Sequence, residues 1–352
     1  MSTISALGDI HVVVGGQFGS EAKGHVAAQI HQTRKVHNAV RIGGPNAGHS
    51  AVDATGRVWA LRTIPVAAVV DAECRLIIGA GSEIDPIVLE HEITMLEEAG
   101  FSVRDRLLID YTATILDPCH IETETARNMH ANIGSTGKGI GAARADRIMR
   151  TARIADELYE CEDTAWFLQD QHLRGQHTLI EGTQGYGLGL HAGFYPHCTS
   201  GDCRAIDCIA QAGITPLQQP DIWLVFRTYP IRVAGNSGDM HNETNWEELN
   251  EISGGYIQAE RTTVTKKIRR VASWDFSLAQ QAIHANGTAA YDNLHSSLMF
   301  VDYLDPSLAG CTDYATLRHS PAFKWISRQE QDLGIKFKVF GTSDRTVVWA
   351  NQ

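Results

Sequence analysis

Four glycine-rich segments and one basic run hold most of the side chains whose types and spacing could do chemistry in this chain. The first segment is Gly15-Gly16-Gln17-Phe18-Gly19-Ser20-Glu21-Ala22-Lys23-Gly24. Glycines let backbone N–H groups close around phosphate oxygens, a following helix N-terminus adds partial positive charge, and Lys23 supplies a full one. Counted from Gly16, Lys23 falls one residue later than a strict G-x-x-x-x-G-K-[ST] phosphate loop places it, and Gly24 stands where Ser or Thr would follow. Spacing alone therefore admits both phosphate binding and an ordinary glycine-rich turn. The second segment, Arg41-Ile42-Gly43-Gly44-Pro45-Asn46-Ala47-Gly48-His49, brackets Asn46 and His49 with glycines. Such a loop lets the backbone approach a ligand and an imidazole project into it, and a hydrogen-bonded loop histidine is the plain alternative. The third, Ile133 to Gly141, holds Ser135 and Thr136 and leads to Arg144, Arg147 and Arg150; the fourth, Glu181-Gly182-Thr183-Gln184-Gly185, leads to Thr199. The basic run is Lys266-Lys267-Ile268-Arg269-Arg270, after Thr262 to Thr265. It reads either as a solvated face or as guanidinium recognition of a carboxylate or phosphate.

The elements that must position these groups alternate along the chain. Asp9 to Gly16 is a β-branched run ending in glycines, the pattern of a buried strand, and helix is expected from there through about Gln32. Pro86 to Gly100 reads as a helix with Pro near its start and Gly at its end, and Arg106 to Asp110 as a strand. Further strands are expected at His177–Glu181, Asp221–Tyr229, Leu298–Asp302 and Ile335–Phe340. This alternation predicts an α/β fold with a mainly parallel sheet and a site at the strand C-termini. Without repeats or Pro-rich linkers, residues 1–352 are expected to form a single domain.

Composition bounds the function. The 352 residues include 41 acidic and 30 basic side chains, a net charge of −11. Such a field repels nucleic-acid polymers and anionic membranes, so a phosphate must be held by a local device. Seven scattered cysteines suit reduced thiols; Cys198, Cys203 and Cys208 beside His197 lack the close spacing of structural zinc sites. No apolar run is long enough for a bilayer and the first residues lack a signal-peptide pattern, so a cytoplasmic protein is expected. No clean GxGxxG with a downstream acidic ribose partner follows the first strand, which speaks against a dehydrogenase.

Taken in order, the segments resemble adenylosuccinate synthetase, the ligase that joins aspartate to C6 of a purine nucleotide at the expense of a nucleoside triphosphate. The first resembles the family's G-x-Q-W-G-D-E-G-K-G, the second its G-G-x-N-A-G-H, the third its G-T-T-G-R-G-I-G and the fourth its E-G-A-Q-G. Thr265 to Asp275 resembles the aspartate loop T-G-R-x-R-R, and Gly341-Thr342-Ser343-Asp344-Arg345-Thr346 the closing nucleotide-base loop. The resemblance implies a phosphate-loop-NTPase-like fold and a homodimer. It implies triphosphate binding by Gly16, Gln17, Gly19, Glu21, Ala22, Lys23 and Gly24, with Gly341, Thr342 and Ser343 at the base. His49 is the implied acid at the purine O6, and Mg²⁺ is the implied cofactor, with the Gly48 carbonyl and Ser20 at the metal position. Asn46, Ser135, Thr136, Gln184, Thr199 and Lys267 match substrate-nucleotide contacts, Arg150 the arginine donated across the dimer, and Thr265 and Arg269 the aspartate contacts.

Three departures from the family pattern shape the expected reaction. Ser20 stands where the family has the aspartate that takes the N1 proton of inosinate, and a neutral hydroxyl cannot do that work at its ordinary pKa. A carboxylate at N1 lies close to C2, so the smaller Ser20 leaves room for a 2-amino group, and phage homologues of the family use deoxyguanylate to make the 2-aminoadenine precursor. In Leu298-Met299-Phe300-Val301-Asp302, Phe300 replaces the lysine of the guanine-reading T-K-x-D while Asp302 remains, which favours ATP or dATP as donor because a ring stacks on any base. Lys267 for arginine and Pro45 for histidine alter the surroundings of ribose and base. The expected reaction joins dGMP to L-aspartate; the alternatives are the ordinary reaction of inosinate with GTP, and an inactive nucleotide-binding sensor.

Overall fold

All six residues of β1 (Ile10–Gly15) are buried, because helices cover both faces of the sheet it centres. The computed structural model describes residues 6–262, 266–287 and 292–350. The other strands of this sheet are β2 (Asn38–Arg41), β3 (Arg75–Ile78), β4 (Leu107–Ile109), β5 (Thr178–Glu181), β6 (Asp221–Arg227), β7 (Leu294–Met299), β8 (Phe337–Gly341) and β9 (Val347–Trp349). Their order is β9-β8-β7-β6-β1-β5-β2-β3-β4. Every neighbouring pair is parallel except β8–β9.

Alternate residues of each strand point to opposite faces, which divides the core. Val12 and Val14 of β1 pack with Ile180, Leu224, Phe226 and Leu298 on one face. Val13 packs with Leu179, Trp223, Val225 and Met299 on the other. From β1 the chain builds one half of the sheet through β2, β3 and β4, returns through β5, and builds the other half from β6 onward. The order thus reverses at β1, and a ligand crevice opens beyond the carboxyl ends of β1, β2, β5 and β6.

The α/β architecture follows the sequence reading, with two differences of substance. The strand expected at Leu298–Asp302 is β7, which begins at Leu294 and stops at Met299. Phe300 has φ 62°, a left-handed conformation that ends the ladder, and Val301–Tyr303 is a helical turn. Strands β2 and β3 were not anticipated, since four-residue runs bearing Asn38, Arg41 and Arg75 carry little period-two signal. Helices α1 (Lys23–Thr33), α2 (Ala67–Val70), α3 (Pro86–Glu98), α4 (Pro118–Ala126), α5 (Met129–Ile133) and α6 (Ile140–Met149) follow in the first half of the chain. No helix among the described residues is long and apolar enough to cross a membrane.

Candidate active site

The loop between β1 and α1 is built around a buried carboxylate. Glu21 accepts the N–H groups of Gln17 at 3.1 Å and Gly19 at 2.8 Å, and pairs with Lys23 Nζ at 2.8 Å. Its chamber is walled by Gly15 and Gly185, where a Cβ would come within 2.5 Å of the Glu21 oxygens. Lys23 also donates to the Gln184 carbonyl. The carboxylate thus fixes the loop from below, and an incoming phosphate must compete with it for the ammonium. Two non-glycine residues of this loop, Ser20 (φ 58°) and Ala22 (φ 65°), are left-handed, and Ala22 occupies a glycine position of the family motif. Gln17 clamps β6 by accepting the Arg227 N–H at 2.9 Å and donating to its carbonyl at 3.1 Å.

Beside the loop lies a second buried network. Arg41 ends β2 and Glu181 ends β5, neighbours in the parallel ladder. His49 Nδ1 is 2.7 Å from Glu181 Oε2, and Arg41 Nη1 is 2.8 and 2.9 Å from the two ring nitrogens. Glu181 also accepts the Val66 N–H at 2.7 Å. Burial, reinforced by the charges of Arg41 and Lys23, holds the His49 pKa well below 6.5, while burial pushes Glu181 upward against the pull of Arg41. The imidazole is therefore neutral here, and the adjacent carboxyl is a group able to carry a proton near neutrality.

These groups open onto a cleft of about 750 Å³. Gly19, Ser20, Ala22, Lys23, Gly24, Asn46, Gly48, His49, Ser135, Thr136, Gln184, Thr199, Lys267, Arg269, Phe300 and Ser343 all line it. Seven lysines and arginines face three acids among its lining residues, so the cleft reverses the sign of the whole chain. Lys267 Nζ reaches His130 at 3.0 Å, and His130 contacts the Ser135 carbonyl at 2.8 Å, which joins the basic run to the third glycine-rich segment. Arg270 is committed to Glu243 at 2.6 and 2.5 Å. Arg269 instead presents a half-buried guanidinium to the cleft, its pKa lowered by burial.

Other expected residues lie off the cleft wall. Gly16 packs under the Phe226 ring, and Gln17 and Glu21 are buried beneath the loop. Gly341 and Thr342 are internal, with Thr342 Oγ1 donating to the Cys311 carbonyl at 2.7 Å. Asp302 is buried and accepts from the Tyr256 hydroxyl at 2.7 Å; burial raises its pKa to about 6. Arg150 caps α6 on the exposed surface. Thr265 lies outside the described residues. All seven cysteines are free thiols.

The sequence reading did not assign Arg41, Glu181, Arg227 or Glu260. Arg227 is fully buried at the end of β6, donates to the Ser20 carbonyl at 3.1 Å, forms a two-pronged pair with Glu260, and lies 4.1 Å over the Phe300 ring. The available signal was a charged residue at the C-terminal end of a short apolar run, which recurs in β2, β5 and β6.

Comparison with known proteins shows the family and the fold. The adenylosuccinate synthetase family profile matches residues 12–165 and 152–325. Adenylosuccinate synthetase of Thermococcus onnurineus is 37% identical over 338 residues, 94% of this chain and 95% of its own. That of Pyrococcus horikoshii is 36% identical over 330 residues, 92% and 93% of the two chains. Among solved structures, the succinoaminodeoxyadenylate synthetase of cyanophage S-2L, bound to dGMP and dATP as an energy donor, superposes with a TM-score of 0.81 at 26% identity, covering 98% of this chain and 96% of that one. Fully ligated adenylosuccinate synthetase of Plasmodium falciparum gives 0.84 at 19% identity over 98% and 100%, a likeness of fold. A mainly parallel α/β sheet with a cationic cleft at its strand C-termini is a setting whose size and charge suit a nucleotide. The chain belongs to the adenylosuccinate synthetase family, and is a carbon–nitrogen ligase of that type.

Proposed function

We propose that this ligase condenses dGMP with L-aspartate, using ATP or dATP, to give N6-succino-2-amino-2'-deoxyadenylate, the nucleoside diphosphate and phosphate. The observation that carries the reading is Ser20, a hydroxyl on the cleft wall where the family motif has an aspartate. The hydroxyl leaves room for a purine 2-amino group, and the cyanophage enzyme of like fold binds dGMP and dATP.

Oxide is a poor leaving group, so the purine O6 first attacks the γ-phosphorus, the bond to the bridging oxygen breaks with its electrons leaving on the nucleoside diphosphate, and the N1 proton passes to water. The aspartate amine then adds at C6, loses a proton, and expels phosphate. Lys23 exchanges Glu21 and the Gln184 carbonyl for the triphosphate. Bound phosphates offset the cationic field of Lys23 and Arg41, so the His49 ring, held by Glu181, becomes able to share a proton with O6 and the phosphoryl group in flight. Arg269 receives the aspartate carboxylate, while Asn46, Thr136, Gln184, Thr199 and Lys267 hold the nucleotide. In a homodimer the partner subunit's Arg150 reaches the substrate phosphate.

Mg²⁺ takes oxygen ligands and commonly keeps waters beside substrate phosphates. The Gly48 carbonyl and Ser20 hydroxyl on the cleft wall fit such a site, whereas Glu21 is spent on loop amides and Lys23. When bound, the ion would neutralise charge on the triphosphate.

A second reading, inosinate with GTP, is favoured by the archaeal relatives and by the retention of Asp302. The inactive sensor is disfavoured by the cleft-facing Arg269, for which a sensor has no use. The test mixes the protein with Mg²⁺, aspartate, ATP, dATP or GTP, and either acceptor, and follows succino-purine absorbance. Turnover of dGMP supports the proposal; turnover of inosinate alone overturns it, and no turnover with any pair favours the sensor.

A further inference from the structure

We propose that His31, Asp71 and Cys74 form a separate metal site, selective for a transition ion of the zinc class, at the end of α1 remote from the phosphate loop. His31 lies in the last turn of α1, Asp71 directly follows α2, and Cys74 directly precedes β3. One ligating atom from each lies within 4.8 Å of the other two. His31 Nδ1 stands 3.3 Å from Asp71 Oδ2, while His31 Nε2 is buried without a hydrogen-bond partner. A buried ring nitrogen without a partner in the protein is a donor still available to an ion.

The donor chemistry selects the ion. Nitrogen, sulfur and one carboxylate oxygen suit Zn²⁺ or Co²⁺, and not Mg²⁺ or Ca²⁺, which take oxygen. One thiolate and one carboxylate neutralise a divalent charge, as burial requires. The thiol proton leaves to solvent as the sulfur–metal bond forms.

Two of the donors are already fixed. Arg106 Nη1 donates to the carbonyls of Asp71 at 2.7 Å and Cys74 at 3.1 Å, and Asp71 Oδ1 accepts the Glu73 N–H at 3.1 Å. Cys74 is fully buried, and the partly exposed Asp71 supplies the way in from solvent. A bound ion ties the last turn of α1 to the edge of β3, about 12 Å along the helix from Lys23 at its first turn. Its role is a clamp on the helix that carries the phosphate-binding lysine, and it requires no particular purine substrate.

The experiment titrates chelator-treated, nucleotide-free protein with Co²⁺ in excess Mg²⁺, reading thiolate-to-cobalt charge transfer and the visible bands of a low-coordinate ion. The expected result is one equivalent bound, displaced by Zn²⁺, with the charge-transfer band lost in Cys74→Ser and affinity at least tenfold lower in His31→Gln. Zn²⁺ should also raise the melting temperature of the unmodified protein and not that of folded Cys74→Ser. Absence of the band in the unmodified protein, or its persistence in Cys74→Ser, overturns the proposal. If Cys74→Ser does not fold, unchanged affinity in His31→Gln overturns it instead.

Discussion

Ser20→Asp is expected to exchange one purine substrate for another while leaving the fold intact. The residue has φ 58°, a conformation Asp tolerates better than most, and its side chain is exposed. Its tie to Arg227 runs through the backbone carbonyl, which the substitution keeps. Stability should therefore change by no more than about 0.5 kcal/mol. For inosinate the variant gains a general base, a contribution of about 10²–10⁴-fold. For dGMP the larger carboxylate crowds the 2-amino group, and overpacking costs about 1–3 kcal/mol, or roughly 5- to 150-fold. Together these shift the preference for inosinate over dGMP by at least about 500-fold. Repulsion between the new carboxylate and the triphosphate acts on both reactions and cancels in the ratio. The assay is kcat/KM for each acceptor at saturating triphosphate and aspartate, on protein shown to be folded by circular dichroism. A ratio that moves by less than tenfold would refute the argument from Ser20.

Three further outcomes test other parts of the site. Glu181→Gln keeps the shape but cannot hold the His49 ring in the same way, so kcat should fall by about 10²–10⁴-fold with KM for the triphosphate little changed; an unaltered kcat would remove Glu181 from its role. Ala22→Gly relieves a left-handed alanine, a strain of about 1–2 kcal/mol against the roughly 0.5–1 kcal/mol of backbone freedom that glycine adds to the unfolded chain. A higher urea midpoint is expected, and a lower one would contradict that balance. Asp302 has a folded pKa of about 6 against an ordinary 3.8, so it binds its proton more tightly folded than unfolded. Its contribution is neutral below about pH 4, grows destabilising as pH rises from 4 to 6, and levels off above 6 at about 3 kcal/mol at most. Asp302→Asn should thus raise stability at pH 7 and leave it unchanged at pH 3.5, as unfolding curves at the two pH values would tell.

What the sequence made legible divides by the range of the contacts involved. The loop between β1 and α1 could be read because Gly15 to Gly24 holds its glycines, its lysine and its helix start within ten consecutive residues. The order of the glycine-rich segments carried the family resemblance, and the sheet gathers Lys23, Asn46, His49, Thr136, Gln184 and Arg269 around one cleft. The Arg41–His49–Glu181 network was less accessible, because Glu181 lies 132 residues from His49 and meets it only through a register that joins the ends of β2 and β5. Arg227 and Glu260 pose the same difficulty, since each looks like a surface charge until β6 is seen to be buried throughout that end. Glu21 shows the converse: its neighbours in sequence suggested a phosphate ligand, whereas its buried carboxylate takes the Gln17 and Gly19 N–H groups for itself. On the proposed reading Lys23 would leave Glu21 for the triphosphate, and the unmasked carboxylate would oppose that exchange, so affinity for the donor would depend on how readily that one ion pair opens.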